Sequence, residues 1–245
     1  MIKSIKNLFG SKVALPEITT DIHSHLIPGI DDGSKTMEES IEMIAAFIDL
    51  GYTRLITTPH IMSHRFPNTK EILEQGLYEL RAELAARKME ITVEVASEYY
   101  LDETVMELVE KGEVLTFGKE RYMLFEMSYV QPLHHLEDMI FEIKVAGYTP
   151  VLAHPERYVY MHDDFEKYRA LKAKGVLFQL NVPSLGGYYS KPVQKTAKRL
   201  VEAGMIDLIG SDAHKMAHLS ALKKVRSEKS YAAIFKNNTI LNNTL

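Results

Sequence analysis

Ten histidines stand in a chain of 245 residues that has no cysteine. Several fall beside acidic residues at spacings that suit metal ligation. Asp21-Ile22-His23-Ser24-His25 comes first, and His60 closes Thr57-Thr58-Pro59-His60. His154 opens His154-Pro155-Glu156-Arg157, and Ser211-Asp212-Ala213-His214 comes last. Glu98 and Glu126 each end a β-type run. Imidazole and carboxylate without thiolate suit manganese, iron, zinc or similar first-row ions. The lack of cysteine excludes disulfides, thiolate metal sites and a cysteine nucleophile. Hydrolysis on this chain must use a metal-activated water, a hydroxyl or a carboxylate.

These residues need a frame that gathers them. Short β-type runs at 18–24, 54–58, 91–97, 122–126, 149–153, 176–181 and 207–210 alternate with longer stretches of helical periodicity. The helical stretches 36–50, 69–87, 134–146, 165–174 and 192–203 lie between them, and Asp102 caps another. Several stop at a glycine (Gly51, Gly147, Gly175, Gly204), as repeated βα units do. About seven such units follow one another without linker or repeat. The alternation predicts parallel strands with helices outside. The expected architecture is an α/β, distorted TIM-like barrel at residues 18–245, with residues 1–17 as an extension. An open doubly wound sheet is the alternative, weakened because no glycine-rich phosphate loop follows the first strand.

In a parallel barrel, chemistry collects at the C-terminal strand ends. Six of the seven predicted ends offer a His, Asp or Glu. His23 and His25, two apart on an extended strand, point the same way. Asp212 and His214 repeat the device on the last strand, which neighbours the first in a closed barrel. With His60, Glu98, Glu126 and His154, eight candidate ligands exceed the needs of one ion. Two or three divalent ions are expected, with Glu98 first choice as the bridging carboxylate. Arg157, three residues after His154, suits two-point contact with phosphate. A salt bridge to a helix carboxylate is its plainer reading. Asp31-Asp32-Gly33 reads as a turn or as a further ligand or proton donor; His64 and Arg65 read as surface or as facing the site. Tyr99, Tyr100, Tyr129, Tyr188 and Tyr189 read as rim packing or as the lining of a shallow mouth for an aromatic substrate.

The net charge of −4 argues against nucleic acid as a partner. The 46% apolar content supports a sizeable core, and no apolar run approaches the roughly 20 residues of a membrane span. The start, too short and polar for a secretory signal, leads to an expected cytoplasmic address. Ile2, Ile5, Leu8 and Phe9 predict a short N-terminal helix. The Asn-x-Thr matches at Asn237 and Asn242 are read as chance.

Asp21-Ile22-His23-Ser24-His25, the following Leu26-Ile27-Pro28-Gly29-Ile30-Asp31-Asp32-Gly33, Thr57 to His60, Ser97 to Tyr100, Leu124 to Ser128, Ala153 to Tyr158 and Ser211 to His214 together resemble the polymerase-and-histidinol-phosphatase (PHP) superfamily. They are most similar to its metal-dependent protein-tyrosine phosphatases encoded with bacterial capsular and exopolysaccharide genes. The resemblance implies a distorted seven-stranded barrel and a three-metal site, often manganese-supported, held by His23, His25, His60, Glu98, Glu126, His154, Asp212 and His214. It implies Arg157 as the phosphate contact. It implies phosphotyrosine as substrate, notably in the tyrosine-rich tail of a bacterial tyrosine kinase. Several relatives carry an arginine shortly after the Ser-Asp-Ala-His motif. Here Lys215-Met216-Ala217-His218 stands, so Lys215 or His218 takes the second phosphate contact.

The expected reaction is in-line attack of a metal-bridging hydroxide on a phosphate monoester. His60 or Asp212 is the candidate proton donor. Rival readings are another PHP phosphoesterase such as a histidinol-phosphate phosphatase, a metal-dependent amidohydrolase, and a metal-bound scaffold without turnover.

Overall fold

A computed structural model describes residues 16–245. The helix expected from Ile2 to Phe9 lies outside them.

The ring begins at β1 (Thr20–Asp21), followed by α1 (Met37–Asp49) and β2 (Arg54–Thr57). After a two-residue break comes β3 (His60–Ile61), then α2 (Lys70–Ala86) and β4 (Thr92–Val95). A second break precedes β5 (Glu98–Tyr100), which leads to α3 (Glu103–Lys111) and β6 (Tyr122–Glu126). Then follow α4 (Leu136–Val145), β7 (Thr149–Ala153), α5 (Glu166–Ala173) and β8 (Leu177–Asn181). The chain ends with α6 (Val182–Leu185), α7 (Lys191–Glu202), β9 (Leu208–Gly210), α8 (Met216–Arg226) and α9 (Lys229–Asn237). Side chains cap the helices where polar residues precede them: Thr36, Thr69, Asp102 and Ser190 each accept from a first-turn N–H.

Every pairing between these named strands is parallel, in two sheets, β1-β2-β4 and β3-β5-β6-β7-β8-β9. The expected second and third strands, 54–58 and 91–97, are thus each followed by a further short strand, after Thr58-Pro59 and after Ala96-Ser97. Pro59 has no N–H to donate to a ladder. The first and last strands meet at the bridge Ser24↔Ala213, with Asp212 N–H donating to His23 O (2.7 Å) and His25 N–H to Ala213 O (3.0 Å). The result is a pair of parallel sheets of seven strand positions, linked at this bridge around a shared interior.

One buried cluster fills its interior: Ile22, Ile56, Ala96, Leu124, Val151, Ala153 and Leu208 among others, with Leu241 and Leu245 packed against it. The larger cluster lies between strands and helices. Strand alternation carries the interior face up into the site. Glu98 stands two residues beyond Ala96, Glu126 two beyond Leu124, and Gln179 two beyond Leu177. Neither α8 nor α9 was anticipated, and α8 directly follows the last strand-end motif.

Candidate metal centre

The strand ends converge. Three sets of ligand atoms each lie within 4.8 Å of one another: His25, Asp32, His60 and His214; His23, His25, Glu98 and Asp212; and His60, Glu98 and Glu126. The sets share His25, His60 and Glu98, so they form one cluster. His154 joins it through Nε2, 2.8 Å from Glu98 Oε1. Glu98 is the hub, with Oε2 3.1 Å from His23 Nε2, 3.3 Å from His60 Nδ1 and 3.5 Å from His25 Nε2. All eight sequence-predicted ligands are therefore brought together. Only His214 among them is more than marginally open to solvent, at 18% side-chain exposure.

Hydrogen bonds on the far side of each ring aim these groups. His23 Nδ1 bonds Gln179 Oε1 at 2.7 Å, leaving Nε2 toward Glu98 and Asp212. His25 Nδ1 bonds Asp31 Oδ2 at 2.7 Å, leaving Nε2 inward. His214 Nδ1 bonds the Asp212 carbonyl at 3.0 Å, leaving Nε2 3.2 Å from Asp32 Oδ1. Such partners fix the tautomer and raise ligand basicity. Asp212 is divided between two tasks. Its Oδ2 accepts from Asn181 Nδ2 (2.7 Å), Arg157 Nη1 (3.0 Å) and Tyr189 OH (3.2 Å), while Oδ1 is left toward the cluster.

The donor set fits divalent cations. His25 Nε2, His60 Nδ1, His154 Nδ1 and Asp212 Oδ1 are buried with no hydrogen-bond partner. Buried polar atoms without a partner are costly, and three of these four face one another across the cluster. Both His154 (φ 34°) and Asp212 (φ 49°) also hold left-handed backbone, a strain that persists where the surroundings enforce it.

The family model for capsular polysaccharide synthesis, CpsB/CapC, matches residues 19–238. The chain belongs to this family. The tyrosine-protein phosphatase YwqE of Bacillus subtilis (strain 168) is 29% identical over 196 residues, 80% of this chain and 77% of that protein. A crystal structure from work on YwqE of Bacillus subtilis and CpsB of Streptococcus pneumoniae, described as unique metal-dependent tyrosine phosphatases, superposes with a TM-score of 0.78. It has 27% identity and covers 90% of this chain and 96% of that one. A histidinol phosphate phosphatase from Lactococcus lactis shares the fold at 15% identity, with a TM-score of 0.54 over 91% of this chain and 95% of that one.

In this member of the CpsB/CapC family, burial alone would depress the His23 imidazole, but Glu98 and Asp212 outweigh it and hold it at about 9. Burial opposes ionisation of Glu98, yet His23 and His60 hold it well below the usual carboxylate range. Burial, then the charge of Glu98, pushes Glu126 up to about 7. Burial and then Arg157 lower His154 to about 4. Protons on the cluster's imidazoles therefore answer an excess of carboxylate charge that divalent cations answer as well.

A cavity of about 630 Å³ opens over the cluster. Arg157 forms part of its wall, its Cζ 4.3 Å from the Tyr129 ring and 4.5 Å from the Tyr189 ring. The plainer reading of Arg157, a bond to a helix carboxylate, gives way to a bond with Asp212 of the site itself. Lys215 is exposed at the mouth. His218 lines the same cavity, but its Nδ1 accepts from the His214 N–H at 3.1 Å, and burial lowers its pKa to about 4. Tyr188 packs on His218, whereas Tyr99 is turned away and its hydroxyl accepts from the Leu115 N–H.

Gln179 and Asn181 were missed. They occupy the one predicted strand end without a His, Asp or Glu, and a search for ionisable ligands passes over amides. Their signal is the two-residue spacing in Gln179-Leu180-Asn181, polar residues on the inward face of an apolar strand. Asp32 was weighed only as one of two loop acids. Here it enters a ligand set, while Asp31 orients His25 and accepts from the His60 N–H at 3.1 Å.

Proposed function

We propose that this chain is a metal-dependent protein-tyrosine phosphatase, a phosphoric monoester hydrolase of capsular or exopolysaccharide synthesis. The observation that carries the reading is the buried His/Asp/Glu cluster with the Arg157 guanidinium bonded to one of its carboxylates, at the floor of an aromatic-walled cavity. The family and the named activities of its relatives support it.

Two or three divalent cations fit the three ligand sets, manganese first, with iron or zinc as alternatives. Bound cations supply charge neutralisation and a water of lowered pKa. The chain's own residues do the rest. Glu98 reaches four imidazoles and would be the carboxylate shared between cations. Arg157, stacked between Tyr129 and Tyr189, presents its free N–H groups to non-bridging phosphate oxygens. Tyr100, Tyr129 and Tyr189 line the cavity and offer ring faces to a phenyl ester. Lys215 supplies a second cation at the mouth, with His218 beside it. A phenol with a pKa of about 10 departs without obligatory protonation. Asp212, held ionised chiefly by His23 against its own burial, anchors Arg157 rather than giving up a proton. His60 remains the candidate donor.

The proposed substrate is a phosphotyrosine protein, the tyrosine-rich tail of a bacterial tyrosine kinase. Phosphotyrosine is made from ATP, which places the encounter in the cytoplasm. The test is metal analysis coupled to phosphate release from phosphotyrosyl peptides, phosphoseryl peptides and histidinol phosphate. We expect manganese-supported turnover of the phosphotyrosyl peptides. Arg157→Lys should keep the metal content and lose about 10- to 100-fold in kcat/KM, since the fork and its stacking are lost while the charge stays. Preference for histidinol phosphate, or full activity in Arg157→Lys, would overturn the reading.

A further inference from the structure

We propose that the turn at residues 62–66 is a specificity element whose Arg65 reads acidic residues flanking the phosphotyrosine. The proposal deepens the phosphatase reading and rests on it.

The turn is built and pinned. Met62 and Phe66 exchange two backbone hydrogen bonds of 2.9 Å, and the Arg65 N–H donates to Met62 O at 3.1 Å. Ser63 Oγ donates to Asp102 Oδ2 at 2.7 Å, tying the tip to the start of α3. His64 sets its ring edge-on to Tyr100, and the Phe66 ring stacks on His60 at 5.5 Å and 9°. Arg65 lies over Phe66, Cζ 4.9 Å from the ring centroid, with Nη2 3.7 Å from Asp32 Oδ2. The guanidinium is thus held over the mouth, yet its side chain remains 62% exposed. Among the described residues, none of its side-chain N–H groups reaches an acceptor within hydrogen-bond distance.

The surrounding charge decides what Arg65 can meet. The protein carries a net charge of −4, but of the carboxylates lining the cavity Glu98, Glu126 and Asp212 are buried against the cluster's imidazoles, and Asp32 is shared between His214 through Oδ1 and Arg65 through Oδ2. The exposed charges at the mouth are Arg65, Lys215 and Asp32, so the two cations outnumber the one carboxylate, which lies 3.7 Å from Arg65, beyond hydrogen-bond distance. When a phosphotyrosyl side chain reaches the floor, the neighbouring peptide residues rest at this mouth. Acidic neighbours meet an oriented, hydrogen-bond-hungry guanidinium. Neutral ones find no partner, and basic ones meet like charge.

The test uses the metal-loaded full chain and phosphotyrosyl peptides with Glu, Ala or Lys on both sides of the tyrosine, with p-nitrophenyl phosphate as a substrate without flanks. An exposed ion pair supports only a modest preference, so kcat/KM should span about tenfold from the Glu to the Lys peptide, mostly through KM. Arg65→Glu should invert that order. Fluorescence anisotropy with non-hydrolysable phosphonate versions should show the same order, collapsing in high salt. Equal kcat/KM on all three peptides, or an Arg65→Glu variant that slows them all alike, overturns the proposal while leaving the phosphatase reading intact. Turnover of p-nitrophenyl phosphate with no peptide cleaved overturns both.

Discussion

The division of labour at Asp212 and His23 shows how single hydrogen bonds shape this site. Gln179 Oε1 accepts from His23 Nδ1–H, and Gln179 Nε2 donates to Asn181 Oδ1 at 3.0 Å. Asn181 in turn donates to Asp212. One pair of amides therefore sets an imidazole tautomer and the rotation of a carboxylate on different strands. Gln179→Ala breaks the first link and frees the His23 ring to turn. Loss of an outer partner of a ligating histidine typically costs about 10- to 100-fold in metal affinity. Gln179→Ala should show that loss in titration against a competing chelator while its unfolding midpoint moves little. An affinity equal to wild type would mean that the ring is oriented by packing alone. The eight candidate ligands were legible because their types are rare in strands and their spacing repeats. The amides were not, since Gln and Asn at a strand end carry no charge signal and acquire meaning only from what faces them.

At the scale of elements, α1 to α5 and α7 were legible from three-and-four periodicity and glycine stops, and the strands from β-branched runs, whereas α6, α8 and α9 were not. The expected strands stop at 58 and 97, and the short strands beyond Thr58-Pro59 and Ala96-Ser97 were not legible. Strands of two and three residues are too short to show an alternation of their own. Close approaches between elements are equally silent in the sequence. Gly76 lies within α2, where alanine would ordinarily stabilise a helix by about 1 kcal/mol. A Cβ there would sit 2.3 Å from Ile27 Cγ2, a buried side chain with little room to retreat. Overpacking of this kind costs about 1–3 kcal/mol, so the clash outweighs the propensity gain. Gly76→Ala should lower the unfolding free energy by about 1–2 kcal/mol in urea. Ile27 begins the loop that carries Asp31 and Asp32, so the metal affinity should fall with it. A variant more stable than wild type would show that α2 slides outward at little cost.

For the whole molecule, the seam between the first and last strands is the place where the barrel could open. Its upper end is closed by backbone bonds among His23, His25, Asp212 and Ala213, within the metal cluster itself. Its lower end is closed by a side chain. Asn242, fully buried, accepts from the Ile209 N–H (3.0 Å) and donates to Ile209 O (2.7 Å) and Thr20 O (2.9 Å). It stands in for the ladder that β1 and β9 lack. Its burial also agrees with reading the Asn-x-Thr match there as chance. Asn242→Ala leaves a buried N–H and two carbonyls short of partners, which should cost about 2–4 kcal/mol. For a chain of this size that lowers Tm by about 6–12 °C. Divalent cations held by the candidate cluster would bind across the upper end of the same seam, and a ligand at about 100 times its Kd adds roughly 2.7 kcal/mol to the folded state. Manganese should therefore recover much of the Tm lost in Asn242→Ala, and a chelator should remove that recovery. If the metal raised Tm in wild type but not in the variant, the loss would lie in the cluster's geometry, and the two ends of the seam would act as one unit rather than as independent clasps.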